Sequence, residues 1–195
     1  AVECAHTQGF ARIFVPELNL EQALLVDGIA VIPVRDLKQL FLHLKQELVL
    51  APGERSSTTK EAAVPPIYSL DAISGQEQAK RALIIAVAGR HNLLLNGPPG
   101  SGKTLLARTM TCLLPDLTPR ERIAVTKLHS LSGESTEDIV TTRPFRAPHH
   151  TASRAALIGG GTRPKPGEIS LAHHGVLFLD EIPEYPRSVL EALRQ

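Results

Sequence analysis

The residues best suited to chemistry lie in a glycine-rich run that ends in lysine and threonine. It has the spacing Gly-x-x-x-x-Gly-Lys-Thr of a phosphate-binding loop, or P-loop, and it reads Gly97, Pro98, Pro99, Gly100, Ser101, Gly102, Lys103, Thr104. Glycines let a backbone turn successive N–H groups toward phosphate oxygens, and the positive end of a following helix strengthens that field. The ammonium of Lys103 suits the β- and γ-phosphates of ATP, and the hydroxyl of Thr104 suits Mg²⁺, which prefers hard oxygen ligands. We therefore predict that ATP and Mg²⁺ bind here.

A second chemical feature is the carboxylate pair Asp180 and Glu181, which follows four apolar residues at 176–179. A buried strand there brings both acids to its carboxyl end, where open α/β sheets bind ligands. We predict that Asp180 binds Mg²⁺, mostly through water, and that Glu181 orients and polarises the water that attacks the γ-phosphate. Two acids after a strand are otherwise a solvated turn or a helix cap, but the P-loop favours catalysis. The predicted catalytic residues are Lys103, Asp180 and Glu181.

The pattern around these motifs predicts an α/β fold. Apolar runs predict strands over 91–96, 123–128 and 176–179, and helical spacing predicts helices over 74–88 and 103–114. Strands and helices that alternate in this way form a parallel sheet with helices on both faces. We therefore expect a P-loop domain in which the loop connects a central strand to a helix.

A separate α/β pattern precedes that domain. Strands over 12–15 and 29–34 alternate with helices over 20–26 and 37–48, and Asp36 is a candidate N-cap of the last helix.

Three segments follow from these patterns. Residues 51–66 have little to bury and include two adjacent prolines, which indicates a linker. We predict a small α/β unit over 1–50, the linker over 51–66 and the nucleotide-binding domain over 67–195. Both termini look cut, since there is no initiating Met and the sequence stops within a helical pattern, so we expect a longer protein.

Composition excludes several classes of function. The formal net charge is +1 in 195 residues, so any basic surface is local, and the aromatic content of 4% argues against a platform for stacking bases. No apolar run approaches the ~20 residues of a membrane span. The two cysteines, Cys4 and Cys112, have no disulfide or zinc spacing, and we expect reduced, buried thiols in a cytoplasmic protein.

The segment between the two motifs is locally basic. No acidic residue occurs over 140–167, and the candidate phosphate-backbone contacts there are Arg143, Arg146, Arg163 and Lys165. The alternative is a solvated loop, or one that packs against a neighbouring subunit. Two adjacent-histidine pairs, His149-His150 and His173-His174, favour structural or hydrogen-bonding roles over a metal, because neighbouring side chains point in different directions.

Several runs together resemble a known family. Residues 143–151, 159–161 and 166–175, followed by Asp180-Glu181, closely resemble the magnesium-chelatase-like AAA+ proteins of bacteria, the YifB/ComM family. The resemblance implies an AAA+ P-loop core over 67–195 and, over 1–50, the end of a Lon-protease-like, ribosomal-S5-like α/β domain, to which we assign no peptidase activity. It also implies that residues 68–76 border the adenine pocket. The predicted nucleotide-binding set is therefore Ile73, the loop Gly97, Pro98, Pro99, Gly100, Ser101, Gly102, Lys103 and Thr104, and Leu105.

The resemblance also implies a function. It indicates a ring-forming ATPase, expected to be a hexamer, with nucleotide between subunits and with its sensors, arginine finger and lid beyond residue 195. In related AAA+ proteins an insertion within the helix before the strand of the acidic pair projects into the pore, and we place such a hairpin over 158–169. We expect a motor on DNA, as in branch-migration helicases. The alternatives are a motor for a protein client, as in magnesium chelatase or Lon-like machines, and an assembly module without turnover.

Overall fold

The computed structural model describes residues 1–55, 68–133, 139–161 and 164–193. The helices are α1 (Val2–Thr7), α2 (Leu20–Ala23), α3 (Leu37–Leu44), α4 (Glu77–Gly89), α5 (Lys103–Leu113), α6 (Pro119–Ser132), α7 (Arg154–Ile158), α8 (Glu168–Leu171) and α9 (Arg187–Ala192). The strands are β1 (Arg12–Pro16), β2 (Ala30–Val34), β3 (Phe145–Arg146), β4 (Gly159–Gly160), β5 (Lys165–Pro166) and β6 (Val176–Leu177). The chain forms two compact units, one of Ala1–Glu61 with Pro119–Val140, the other of Ala62–Thr118 with Thr141–Gln195.

The first unit contains the predicted strand–helix–strand–helix order. β1 and β2 pair in parallel, with Arg12 opposite Ala30 and Pro16 opposite Val34. Val15, Ala23 and Val31 form the buried cluster between the strands and α2. The short helix α2 therefore returns the chain to the start of a parallel neighbour, as a β-α-β crossover requires.

The N-terminal cap of α3 forms as predicted. The Asp36 Oδ1 atom accepts a hydrogen bond from the Gln39 backbone N–H at 2.7 Å, which satisfies one of the free donors of the first turn. Asn19 stands in the equivalent position before α2 but makes no capping hydrogen bond through its side chain.

The predicted strand over 123–128 is wrong, because these residues lie within α6. Its first residue is Pro119, whose fixed φ suits a first helical turn. Charged straight-chain residues surround the apolar run, and such residues favour a helix more strongly than a few β-branched ones favour a strand. Val125 and Thr126 are the buried residues of this helix.

The second unit is centred on the packing of α4 against α5. Leu83 of α4 and Leu106 of α5 form a buried cluster with Ile73. The helix predicted from residue 103 begins there as α5, whereas the helix predicted from residue 74 begins three residues later, at Glu77, as α4.

The predicted strand over 91–96 is also wrong, because these residues form no strand in the structure. Leu93 and Leu95 are half-buried against the Leu83–Leu106 cluster, whereas Leu94 is 77% exposed. The run therefore buries one face instead of two, and a central strand of a parallel sheet buries both.

The strands of the second unit are short pairs. β3 and β6 are parallel, with Phe145 opposite Val176, so the strand predicted over 176–179 is present but spans only its first two residues. β4 and β5 are antiparallel, with Gly159 opposite Pro166, which confirms the hairpin predicted within 158–169. The described residues thus confirm the α/β class, with two-stranded sheets instead of one continuous sheet.

Some sequence predictions fall at the limits of the described chain. Residues 56–66 of the predicted linker lie outside the described residues.

Cys4 and Cys112 are free but exposed, so the expected burial of both thiols is wrong. Among the helices that the structure describes, none combines the length and apolar character needed to cross a bilayer.

We expect the capping bond of Asp36 to be measurable in the stability of the protein. The Asp36→Ala substitution removes the acceptor for the Gln39 N–H and should lower the free energy of unfolding by about 1 kcal/mol. Chemical denaturation followed by circular dichroism measures this change. The matched control is Asn19→Ala, which removes no capping bond and should change stability by less. Equal losses in the two variants contradict the capping role.

Candidate nucleotide-binding site

The P-loop has the backbone conformation that a phosphate cradle requires. Gly100 and Gly102 have φ values of 78° and 82°, in the left-handed region that only glycine enters at little cost. Gly102 is the N-cap residue of α5, so the helix begins directly at Lys103. The loop therefore leads directly into the positive N-terminal end of α5, where an anion binds well.

The Lys103 side chain folds back over the loop. Its Nζ atom donates to the carbonyl oxygens of Gly97 and Pro98, each at 2.9 Å. Phosphate oxygens are stronger partners for an ammonium than carbonyl groups are, because both partners are then charged. A phosphate group bound in the loop would therefore compete with these two carbonyls for the ammonium.

The structure brings the two predicted motifs together. The Thr104 Oγ1 atom lies 3.5 Å from the Asp180 Oδ2 atom, although the residues are 76 positions apart. A hydroxyl and a carboxylate are both hard oxygen donors, and Mg²⁺ typically takes one or two such protein ligands and keeps several waters. Both residues are exposed, which leaves room for those waters. Thr104 and Asp180 therefore fit a magnesium site.

Glu181 adopts an unusual backbone conformation beside this pair. Its φ is 52°, a left-handed value that costs energy in a residue with a side chain. Its N–H donates to the Asp180 Oδ1 atom at 3.1 Å, and its carbonyl accepts from the Glu184 N–H at 2.8 Å. This turn separates the two acids, so that Asp180 lies at Thr104 while the Glu181 carboxylate lies 3.4 Å from the His150 Nδ1 atom.

Two predicted nucleotide contacts lie next to the loop in different environments. Ile73 is buried against Leu83 and Leu106, and Leu105 is exposed on α5. Sequence reasoning missed Gln76, whose Nε2 atom donates to the Ser101 carbonyl at 3.3 Å. Gln76 is the last residue of the segment 68–76, whose resemblance to an adenine-pocket border was the available signal. The adenine contact of Ile73 stays a prediction.

Tyr185 is a second residue that the sequence did not single out. It is 3% exposed, and its hydroxyl donates to the Pro148 carbonyl at 2.6 Å. Burial, with the nearby charge of Asp180 as the smaller cause, raises the pKa of Tyr185 above its ordinary value. The hydroxyl therefore keeps its proton, and remains a donor, through the whole neutral range.

Two of the predicted DNA contacts hold the fold together. The Arg143 guanidinium donates to the carbonyls of Pro115, Asp116 and His174, the last at 2.6 Å. Arg146 forms two hydrogen bonds to the Glu168 carboxylate, at 2.6 and 2.8 Å, and only 23% and 24% of these two side chains are exposed.

The other predicted DNA contacts lie at the hairpin. Lys165 is exposed on β5, and Arg163 lies outside the described residues. DNA contact by all four residues stays a prediction, and a contact by Arg143 or Arg146 has to compete with the bonds described above.

The two histidine pairs are close ring pairs. The rings of His149 and His150 have centroids 4.0 Å apart, and those of His173 and His174 are 3.9 Å apart. Within the described ranges, no three His, Cys, Asp or Glu side chains come together as a metal site.

The fold and the site define the class of the protein. An α/β chain in which a P-loop opens a helix, and in which an aspartate that follows a strand lies beside the P-loop threonine, has the features of a P-loop nucleotide-binding domain. The family described as "Magnesium chelatase, subunit ChlI" matches residues 69–195. The chain belongs to this family.

Its relatives agree with that assignment. The chain is 54% identical over 160 residues to the competence protein ComM of Haemophilus influenzae, which covers 80% of the chain and 31% of ComM. It is 44% identical over 185 residues to YifB of Escherichia coli, covering 94% of the chain and 36% of YifB. A more distant match, at 29% over 164 residues, is the ATP-binding subunit ClpX of the ATP-dependent Clp protease of Treponema denticola, covering 74% of the chain and 35% of ClpX. The chain spans about a third of the length of these relatives.

The Arg146–Glu168 pair generates a prediction about stability. Arg146→Ala leaves a half-buried carboxylate without its bidentate partner and should lower the free energy of unfolding by roughly 1 to 3 kcal/mol. Glu168→Ala should do the same, and the double variant should lose less than the sum. Denaturation of the three variants measures this coupling. Additive losses contradict the pairing.

Proposed function

We propose that the chain binds ATP with Mg²⁺ and hydrolyses it to ADP and phosphate. The observation that carries this proposal is the contact between Thr104 and Asp180, because it joins a phosphate-binding loop to an acidic pair. A loop alone is sufficient for binding. A second acid that is turned away from the metal position, as Glu181 is, supplies the base that hydrolysis needs.

The proposed step is an attack of water on the γ-phosphorus. The water oxygen bonds to the γ-phosphorus while Glu181 accepts a proton from that water. The bond between the γ-phosphorus and the β–γ bridging oxygen breaks, which releases ADP. Lys103 and the loop N–H groups offset the negative charge on the phosphate oxygens. Thr104 and Asp180 would hold Mg²⁺, which would supply further positive charge near the phosphates.

The exposure of the site supports a ring of subunits. The side chain of Glu181 is 65% exposed, and Thr104 and Asp180 are exposed as well. Hydrolysis works best where bulk water is excluded, so a neighbouring subunit is needed to cover these residues. We therefore propose a homo-oligomeric ring, a hexamer by the family resemblance, with nucleotide between subunits. We also propose that the protein is cytoplasmic. Residues 1–50 are, in this proposal, the C-terminal part of a Lon-like domain, to which we assign no peptidase activity.

We further propose that the ring acts on DNA. The antiparallel pair of β4 and β5 places Lys165 on an exposed hairpin, and Arg154 is exposed at the start of α7. Both charges lie in the acid-free segment, where they can contact a phosphate backbone.

A second candidate function is a motor for a protein client. The 29% identity to the ATP-binding subunit of an ATP-dependent protease favours it. The two candidates differ in what stimulates hydrolysis, since branched DNA accelerates phosphate release in the first and a stably bound protein partner does so in the second.

The catalytic proposal is tested with Glu181→Gln in the full-length protein. Glutamine keeps the size of the side chain but cannot accept the proton, so we expect kcat to fall by about a hundredfold or more while ATP still binds. Lys103→Ala should lose ATP binding itself. Phosphate release and nucleotide binding are measured in parallel. Equal turnover in wild type and Glu181→Gln contradicts the role of the glutamate.

The DNA proposal is tested with Lys165→Ala, again in the full-length protein. Removal of one phosphate contact should weaken binding to branched DNA and lower the slope of log affinity against log salt by about 1. Lys38→Ala, at an exposed lysine of α3 in the first unit, is the matched control and should leave the slope unchanged. Affinities measured at several salt concentrations decide the point. The same slope in all three proteins counts against contact through the hairpin.

A further inference from the structure

The carboxylate that we assign to catalysis has a side-chain partner in the second unit. The His150 Nδ1 atom lies 3.4 Å from the Glu181 Oε2 atom. His150 follows β3, the strand that pairs with β6, and Glu181 lies just beyond the end of β6. The pairing of these two strands therefore brings the histidine to the catalytic acid.

The His150 ring is held from two sides. The His149 ring lies against it with centroids 4.0 Å apart, and the Tyr185 ring meets it edge-on at 6.4 Å and 79°. Tyr185 is buried, and its hydroxyl bonds to the carbonyl of Pro148, two residues before His150. Only 27% of the His150 side chain is exposed. The ring thus has a fixed position from which Nδ1 can donate.

The side chain of Glu181 needs such a partner, because an exposed side chain is not held in one conformation by its surroundings. Its backbone is turned by the left-handed φ and by the bond from its N–H to Asp180, but its side chain is largely exposed. A long exposed carboxylate samples several rotamers, and only some of them place an oxygen where the attacking water lies. A donor on one carboxylate oxygen restricts the side chain and leaves the other oxygen free to accept from water.

We propose that His150 is a positioning residue for Glu181, which it holds by donating Nδ1–H to one carboxylate oxygen. This inference rests on the proposed function, since it concerns the same hydrolysis. His150 itself neither binds nucleotide nor takes up the proton of the water. Its loss should therefore lower kcat and leave ATP binding and KM nearly unchanged.

Three variants of the full-length protein test the inference. His150→Ala removes the donor and should lower kcat for ATP hydrolysis about tenfold or more, with KM and nucleotide affinity within about twofold of wild type. His150→Asn keeps an N–H near the Nδ1 position and should recover most of that loss. His173→Ala is the matched control, because it removes one ring of the other histidine pair and should leave kcat unchanged.

The outcomes separate this inference from the proposed function. Wild-type kcat in His150→Ala, beside an inactive Glu181→Gln, overturns the inference and leaves the function intact. Equal losses in His150→Ala and His150→Asn, an equal loss in His173→Ala, or a changed KM at unchanged kcat overturns it as well. A wild-type protein that releases no phosphate overturns both. If His150→Ala does not fold, His150→Phe takes its place, because it keeps an aromatic ring but has no N–H donor. A lower kcat at unchanged KM in that variant supports the inference, and wild-type kcat overturns it.

Discussion

The candidate site depends on one contact, the 3.5 Å approach of Asp180 to Thr104. Neither residue fixes the other, because both are exposed and a single hydroxyl–carboxylate contact contributes little by itself. The approach is set instead by how α5 is held against the β3–β6 pair. Arg108, one helical turn beyond Thr104, lies over the Phe145 ring of β3 at 5.1 Å and over the Tyr68 ring at 5.6 Å. Phe145 in turn stacks on Phe178 at 6.0 Å, two residues before Asp180.

The same helix is also connected to the sheet beyond its carboxyl end. Arg143 donates to the carbonyls of Pro115 and Asp116, just past α5, and to that of His174, just before β6. A guanidinium has five N–H donors in a rigid plane. One arginine side chain can therefore bond to carbonyl groups of two separate segments, here the residues after α5 and those before β6. The P-loop helix and the strand of the acidic pair are thus joined at both ends, which explains how two-stranded sheets suffice to place Asp180.

The sequence predicted the parts of the site that depend on local chemistry. The loop, the start of α5 at Lys103 and the Asp36 cap follow from residue types at fixed spacing. The failures lie where tertiary contacts decide. Residues 91–96 have the composition of a buried strand, but what they become depends on whether a neighbouring strand pairs with them, and Leu94 is exposed. Residues 123–128 have β-branched members, but the helix formers around them prevail.

A basic segment also illustrates what composition cannot decide. The lack of acids over 140–167 suggested charges that are available to a polymer, yet Arg146 finds its acid at Glu168, one residue past that range. This pair joins β3 to the start of α8, directly after the hairpin, so the arginine fixes the base from which the hairpin extends. Lys165 on the hairpin and Arg154 before it are exposed, and they carry the local positive charge. Arg143 and Arg146 therefore hold the framework of the site, and a polymer contact by either of them has to compete with these bonds.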